Sequence, residues 1–279
     1  MTRRLVVHAA AVSALAIAGC AAIAQGPAQP VAEIGSAAPG SYADVARWAA
    51  DAPAIVELSV RRAEALPQTA LPGRVRAAIE ADVVAVRFAA VPVAQRVRLI
   101  ADVPADPRGR MVRLNRARFF AFATTPARAD VLQLVAPDAL MPADPATDAT
   151  LSAILAERTS GPVPPVVTGI TQAFHTQGTV AGESETQLFL RTADGAPVSL
   201  GVVRRPGLAP AWSVAFGEVI DEAARAPERR TIAWYRLACG LPDIVPDAAM
   251  VDLGPAERSA VAADYALVRS ALGPCDASR

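Results

Sequence analysis

Ile55-Val56-Glu57-Leu58-Ser59-Val60-Arg61, the stretch IVELSVR, decides how the chain folds. Its apolar and polar residues alternate, which puts Val56, Leu58 and Val60 on one face of a strand and Glu57, Ser59 and Arg61 on the other. Similar runs recur at 82–88, 93–101, 111–124 and 131–135, separated by proline-bearing breaks such as Val103-Pro104-Ala105-Asp106-Pro107. Strands that follow one another without intervening helices predict antiparallel pairing, because parallel strands require long crossovers.

Moving outward, Ser41 opens a short helix that Trp48 anchors and Pro53 ends. Pro137 to Pro145 is rich in proline, Asp148 caps a helix carrying Leu151, Ile154 and Leu155, and TSGPVPP at 159–165 stops it. Alternation resumes at 166–176, 186–192, 197–204 and 211–219. Ala193-Asp194-Gly195-Ala196 supplies a hairpin turn, since Asp-Gly tolerates positive φ. Trp212, Val214 and Phe216 then share one strand face. Helices are expected at 218–226, 231–238 and from Pro255 to Leu272, the last with Val261, Tyr265, Val268 and Leu272 as its apolar stripe and Gly273-Pro274 as its stop.

The expected fold class is therefore α+β, a mostly antiparallel β-sheet in two units with a C-terminal helical end. Residues 42–137 form the first β-rich unit, 138–165 a Pro-rich linker with a short helix, and 166–279 the second β-rich unit with the C-terminal helices.

The first residues carry an address. A basic head at 1–4 and an apolar core over 5–18 precede small residues, the pattern of an export signal over 1–24. Residues 25–41, rich in Gly, Pro, Ala and Gln, read as a flexible tether. Ile17-Ala18-Gly19-Cys20 resembles the lipobox of bacterial lipoproteins, with Ile in place of the commoner Leu three residues before the cysteine. The resemblance implies that Cys20 is acylated and becomes the mature N-terminus. Ala22-Ile23-Ala24 before Gln25 also fits an ordinary signal-peptidase site, which would discard Cys20. Either cut sends the protein out of the cytoplasm, to the periplasm or, lipid-anchored, to the outer membrane. There Cys239 and Cys275 can pair, closing a loop of about 36 residues worth roughly 3 to 4 kcal/mol in the chain-entropy model. Two separate buried thiols are the alternative.

Composition removes several chemistries. All 27 basic residues are arginine, so a P-loop lysine, Schiff bases and serine–lysine dyads are absent. One histidine, His175, remains after export, and no spacing of Cys and His suits zinc, so neither a metal nor a cofactor is expected. With Ile170 and Phe174 facing inward, His175 points the other way, where Ser184 or Ser199 and Asp194 are conceivable triad partners. No serine occupies a G-x-S-x-G elbow. Glu183 and Glu185 are the available acidic pair for glycoside chemistry. A hydrolase of envelope esters or glycans using His175 or these acids is the alternative function.

The leading site is electrostatic. Arg108, Arg110, Arg113, Arg116 and Arg118 follow one another without an acid, and 74–118 holds ten arginines against four acids. Residues 119–203 hold three arginines against eight acids. Guanidinium forks bind phosphate or carboxylate bidentately, so the arginine run is an anion-binding candidate, with solvated surface or internal pairing as the alternative. The expectation is an envelope binding or assembly protein without a catalytic site. Its expected partner is an anionic envelope component or a protein, with membrane contact by lipid anchor only and no nucleic acid.

Overall fold

A computed structural model describes residues 40–125, 127–217 and 225–277. Cys20, the expected export segment, the expected tether before Gly40 and the 218–224 part of an expected helix lie outside these residues. The chain is α+β, with two mostly antiparallel sheets and a C-terminal helix.

The first sheet is built from β1 (Ala54–Ala65), β2 (Arg74–Ala89), β3 (Arg96–Pro104), β4 (Arg118–Ala123), β5 (Val131–Leu132) and β6 (Leu140–Pro142). β1, β2 and β3 form an antiparallel meander, and β4 pairs antiparallel with the other edge of β1. β5 runs parallel to β3, with Arg98 opposite Val131 and Leu99 opposite Leu132. The chain continuing from β5 then bridges to β4: Ala123 faces Leu134, Thr124 N–H donates to the Gln133 carbonyl and Val135 N–H to that of Phe122. The pairing thus runs β1, β2, β3, β5, β4 and back to β1. That circuit is a five-stranded Greek-key barrel, the architecture of the OB-fold. β6 pairs outside it, on β4.

Closure has a local cause. Register shifts interrupt the β1–β2 pairing at Ile55/Val56, Glu57/Leu58 and Val60/Arg62. Each extra residue bends and twists a strand, and the sixteen-residue β2 pairs with β1 along 77–89 and with β3 along 74–82, its shared middle carrying both neighbours. Val60, Ala81 and Val97 stand on one inward rung, and Ile79, Leu99 and Leu132 on another, all buried.

The second sheet, in the order β10, β9, β8, β7, is an antiparallel meander of β7 (Val167–Gln177), β8 (Ser184–Thr192), β9 (Val198–Arg204) and β10 (Ala211–Phe216). The Asp194-Gly195 turn joins β8 to β9, with Gly195 at φ 78°. Between the two sheets in chain order comes α2 (Pro145–Ser160), which Asp144 caps through the N–H groups of Ala146 and Thr147. It packs Leu151 and Ile154 into a core continuous with both sheets.

Three further helices complete that core. α1 (Tyr42–Ala49) starts in a capping box between Ser41 and Asp44. α3 (Ile232–Gly240) buries Trp234, edge-on to Tyr42 at 6.0 Å, with its indole N–H donating to the Leu272 carbonyl. α4 (Pro255–Leu272) buries Val261, Tyr265, Val268 and Leu272, the stripe expected from sequence. Cys239 and Cys275 form a disulfide that ties the end of α3 to the tail after α4. In that tail Asp276 accepts from the Ala43 N–H at 3.1 Å, satisfying an orphan donor in the first turn of α1.

Candidate functional site

The barrel carries a groove of about 820 Å³ on its outer wall, floored by the end of β1, β2 and β3 and walled by residues 131–137. Strand register arranges its floor in rows. Arg62 stands opposite Glu80, and Glu80 opposite Arg98. The next row holds Glu64, Ala78 and Ile100, the last 57% exposed. Arg76 and Asp102 make the third.

The third row is locked. Asp102, only 1% exposed, accepts from Arg76 Nε at 2.7 Å and from its terminal nitrogen at 3.1 Å, and from the Leu71 N–H at 2.9 Å. The Arg76 hydrogen bonds hold the Asp102 carboxyl below its ordinary value, with burial opposing and the Leu71 N–H assisting. In the first row Arg62 pairs with Glu64, and Arg98 with Asp130 at 2.7 Å. The exposed Glu80 side chain has no ion-pair or hydrogen-bond partner among the described residues. Sequence reading passed over this groove, because each of its strands shows only ordinary alternation.

The arginine run lies elsewhere, on the connection between β3 and β4 and the start of β4. Arg110 grips Asp106 with two nitrogens, at 3.0 and 2.9 Å, and Arg118 pairs with Glu57. Arg108, Arg113 and Arg116 are exposed, and Arg116 adopts a positive φ of 64° where its N–H returns to the Val60 carbonyl. Internal pairing therefore takes two of the five guanidinium groups.

His175 lies on the face opposite to the one expected. A register shift between Ile170 and Gln172 exchanges the faces of β7, so Ala173 is buried while Phe174 is exposed and edge-on to Phe189 at 5.8 Å. His175 turns inward, with Nδ1 2.9 Å from Thr186 Oγ1. Thr186 donates to Asp264 of α4 at 2.5 Å, and Arg204 Nε donates to the same carboxylate at 2.6 Å. Since the threonine proton goes to Asp264, Nδ1 is the donor and the Thr186 oxygen the acceptor between them. Neither Ser184, Ser199 nor Asp194 meets the imidazole; its partner is Thr186, behind which stands Asp264. Thr186 is 0% exposed, so its hydroxyl cannot reach a substrate. Glu185 is exposed and Glu183 half-buried, at the mouth of the β7–β8 hairpin. Asp264 had a legible signal, an acid three residues after Val261 inside an apolar stripe.

Among the described residues no group of three His, Cys, Asp or Glu side chains is placed to hold a metal ion, and no helix is long and apolar enough to cross a membrane.

No family model matches the chain, and no curated protein does. A solved structure titled "p202 HIN1 in complex with 12-mer dsDNA" matches with 7% identity and a TM-score of 0.20, over 59% of this chain and 93% of that one. The expectation that excluded nucleic acid is corrected here, because the matching structure is a DNA complex. A likeness at that TM-score carries no argument for what this chain binds, and nucleic acid takes its place among the ligands to be tested.

Proposed function

We propose that the protein is an exported cell-envelope binding or assembly protein, lipid-anchored through Cys20, whose binding site is the groove on the outer wall of the barrel. What supports the reading is one observation: an open groove of about 820 Å³ whose floor exposes Ile100 between two rows of charge. An exposed apolar strip rimmed by polar groups on a rigid sheet marks an interaction site. Catalysis finds less support, since the neighbour of His175 is the fully buried hydroxyl of Thr186, which is itself committed to Asp264 of α4.

The test is crosslinking in intact cells with a photoreactive residue at position 100. A discrete adduct from position 100, and none from a control position at Phe189, is the expected result. Equal labelling at both positions, or none at 100, refutes the groove. The address is tested by the intact mass of the mature chain. An acylated chain starting at Cys20 is expected, and an unmodified one starting at Gln25 rejects the anchor.

A further inference from the structure

The groove lining holds three arginines and three acids, but their pairing leaves one acid over. Arg62, Arg76 and Arg98 are engaged by Glu64, Asp102 and Asp130 respectively. Glu80 is left over, an exposed carboxylate standing between Arg62 and Arg98 in register and engaged by neither. The one charge left without a partner in the groove is therefore an anion, although its neighbourhood is rich in arginine and Asp130 is shared between Arg98 and Arg128. Beside Glu80 on the same face of β2 comes Ala78, with Ile100 next to it on β3. The site presents an anion followed, two strand residues on, by an apolar strip.

We propose that the groove takes an extended, basic polypeptide segment, which sets a lysine or arginine against Glu80 and a small apolar side chain over Ala78 and Ile100. This rests on reading the groove as the binding site. Three features carry the ligand class. The unpaired carboxylate selects a cation, and an ammonium or guanidinium arriving there forms a charge-assisted hydrogen bond. Same-face residues two apart on a strand lie about 7 Å from each other, and an extended peptide repeats its side chains at that same interval. A lysine and an apolar residue two positions apart thus fall in register with Glu80 and Ala78. The groove lining contains no aromatic ring, so it offers side chains to pair with rather than a platform on which bases stack.

The experiment is fluorescence anisotropy with the full mature chain and three labelled probes: a short peptide repeating Lys-Ser-Val-Ser, which sets lysine and valine two positions apart on one face, its counterpart with glutamate in place of lysine, and a single-stranded oligonucleotide. The basic peptide binds, less tightly as salt is raised, and the acidic peptide does not. Glu80→Gln weakens the basic peptide about tenfold, the effect of losing one charge-assisted contact at an exposed position. Glu80 is exposed, so the variant keeps the wild-type circular dichroism and melting curve. Glu185→Gln, which removes an exposed acid outside the groove, leaves affinity unchanged. Equal binding of both peptides, an unaltered affinity in Glu80→Gln, or displacement of the basic peptide by the oligonucleotide overturns the proposal. If crosslinking at position 100 succeeds in cells while the peptides show no preference, the ligand class fails and the groove stands. If that crosslink is absent, the groove itself fails.

Discussion

Asp264→Asn is the sharpest probe of how the C-terminal helix is held. The wild-type carboxylate is 1% exposed and accepts from Thr186 at 2.5 Å and Arg204 at 2.6 Å. Hydrogen bonds to a charged group contribute about 1.5–3 kcal/mol, and removing one side of a buried ion pair costs about 3–5 kcal/mol. The Arg204 side chain keeps 37% of its surface in water, so its charge rehydrates when the pair is broken and the upper figure is discounted. The asparagine also retains one acceptor oxygen. The expected cost is about 2–3 kcal/mol, read as a lower urea midpoint at unchanged slope and a melting temperature lower by about 5–10 °C. Asp243→Asn serves as the control: its carboxylate, 98% exposed, pairs with Arg269 at 3.4 Å, and the melting temperature should not move. Thr186→Val combined with Asp264→Asn should be clearly non-additive, because both changes break the same hydrogen bond. A cost below about 0.5 kcal/mol for Asp264→Asn, or additive losses, refutes the view that this chain of groups fastens α4 to the sheet.

Three other outcomes are expected. Asp102 titrates below its ordinary value because of Arg76, so its stabilisation is present above the unfolded-state value and is lost as pH falls through the folded one. Asp102→Asn is therefore less stable at neutral pH, and its gap to wild type closes on acidification; a gap constant from pH 7 to about 3 contradicts this. Replacing Cys239 and Cys275 with alanine removes a cross-link between positions 36 apart and should lower stability by about 3–4 kcal/mol by chemical unfolding, with little change in the native circular dichroism. Gly240→Ala puts a methyl group 2.5 Å from the Val167 carbonyl oxygen, a backbone atom that cannot step aside. The expected loss is about 1–3 kcal/mol, and an unchanged melting curve would refute the close packing of α3 on β7.

The sheet strands were legible in the sequence because a half-buried strand writes its environment in a period of two, as IVELSVR does. Closure was not. It depends on β5, a two-residue strand, pairing parallel with β3 and then passing its continuation to β4, and no local pattern distinguishes that from an open sheet. Bulges were equally invisible: one extra residue between Ile170 and Gln172 reversed the face of His175 and exchanged its expected partners for Thr186, which in turn holds Asp264. The arginine run drew attention because its charges are adjacent in sequence, yet Arg110 and Arg118 are committed to Asp106 and Glu57. Glu80 drew none. Its importance comes from what Arg62 and Arg98 do with other residues, and pairing is a property of space rather than of order along the chain.

The hydrogen bond from the Ala43 N–H to Asp276 makes the described fold almost a ring. Helix α1 and the tail after α4 meet there, held by the same tail that the disulfide anchors to α3. A circularly permuted chain, with residues 40 and 277 joined by a short linker and new ends opened in the exposed loop at 205–209, should therefore retain both sheets. Moving the ends in this way would also carry any attached reporter or surface tether from α1 to the far tip of the second sheet. The orientation in which the groove is displayed thus becomes a choice open to the experimenter.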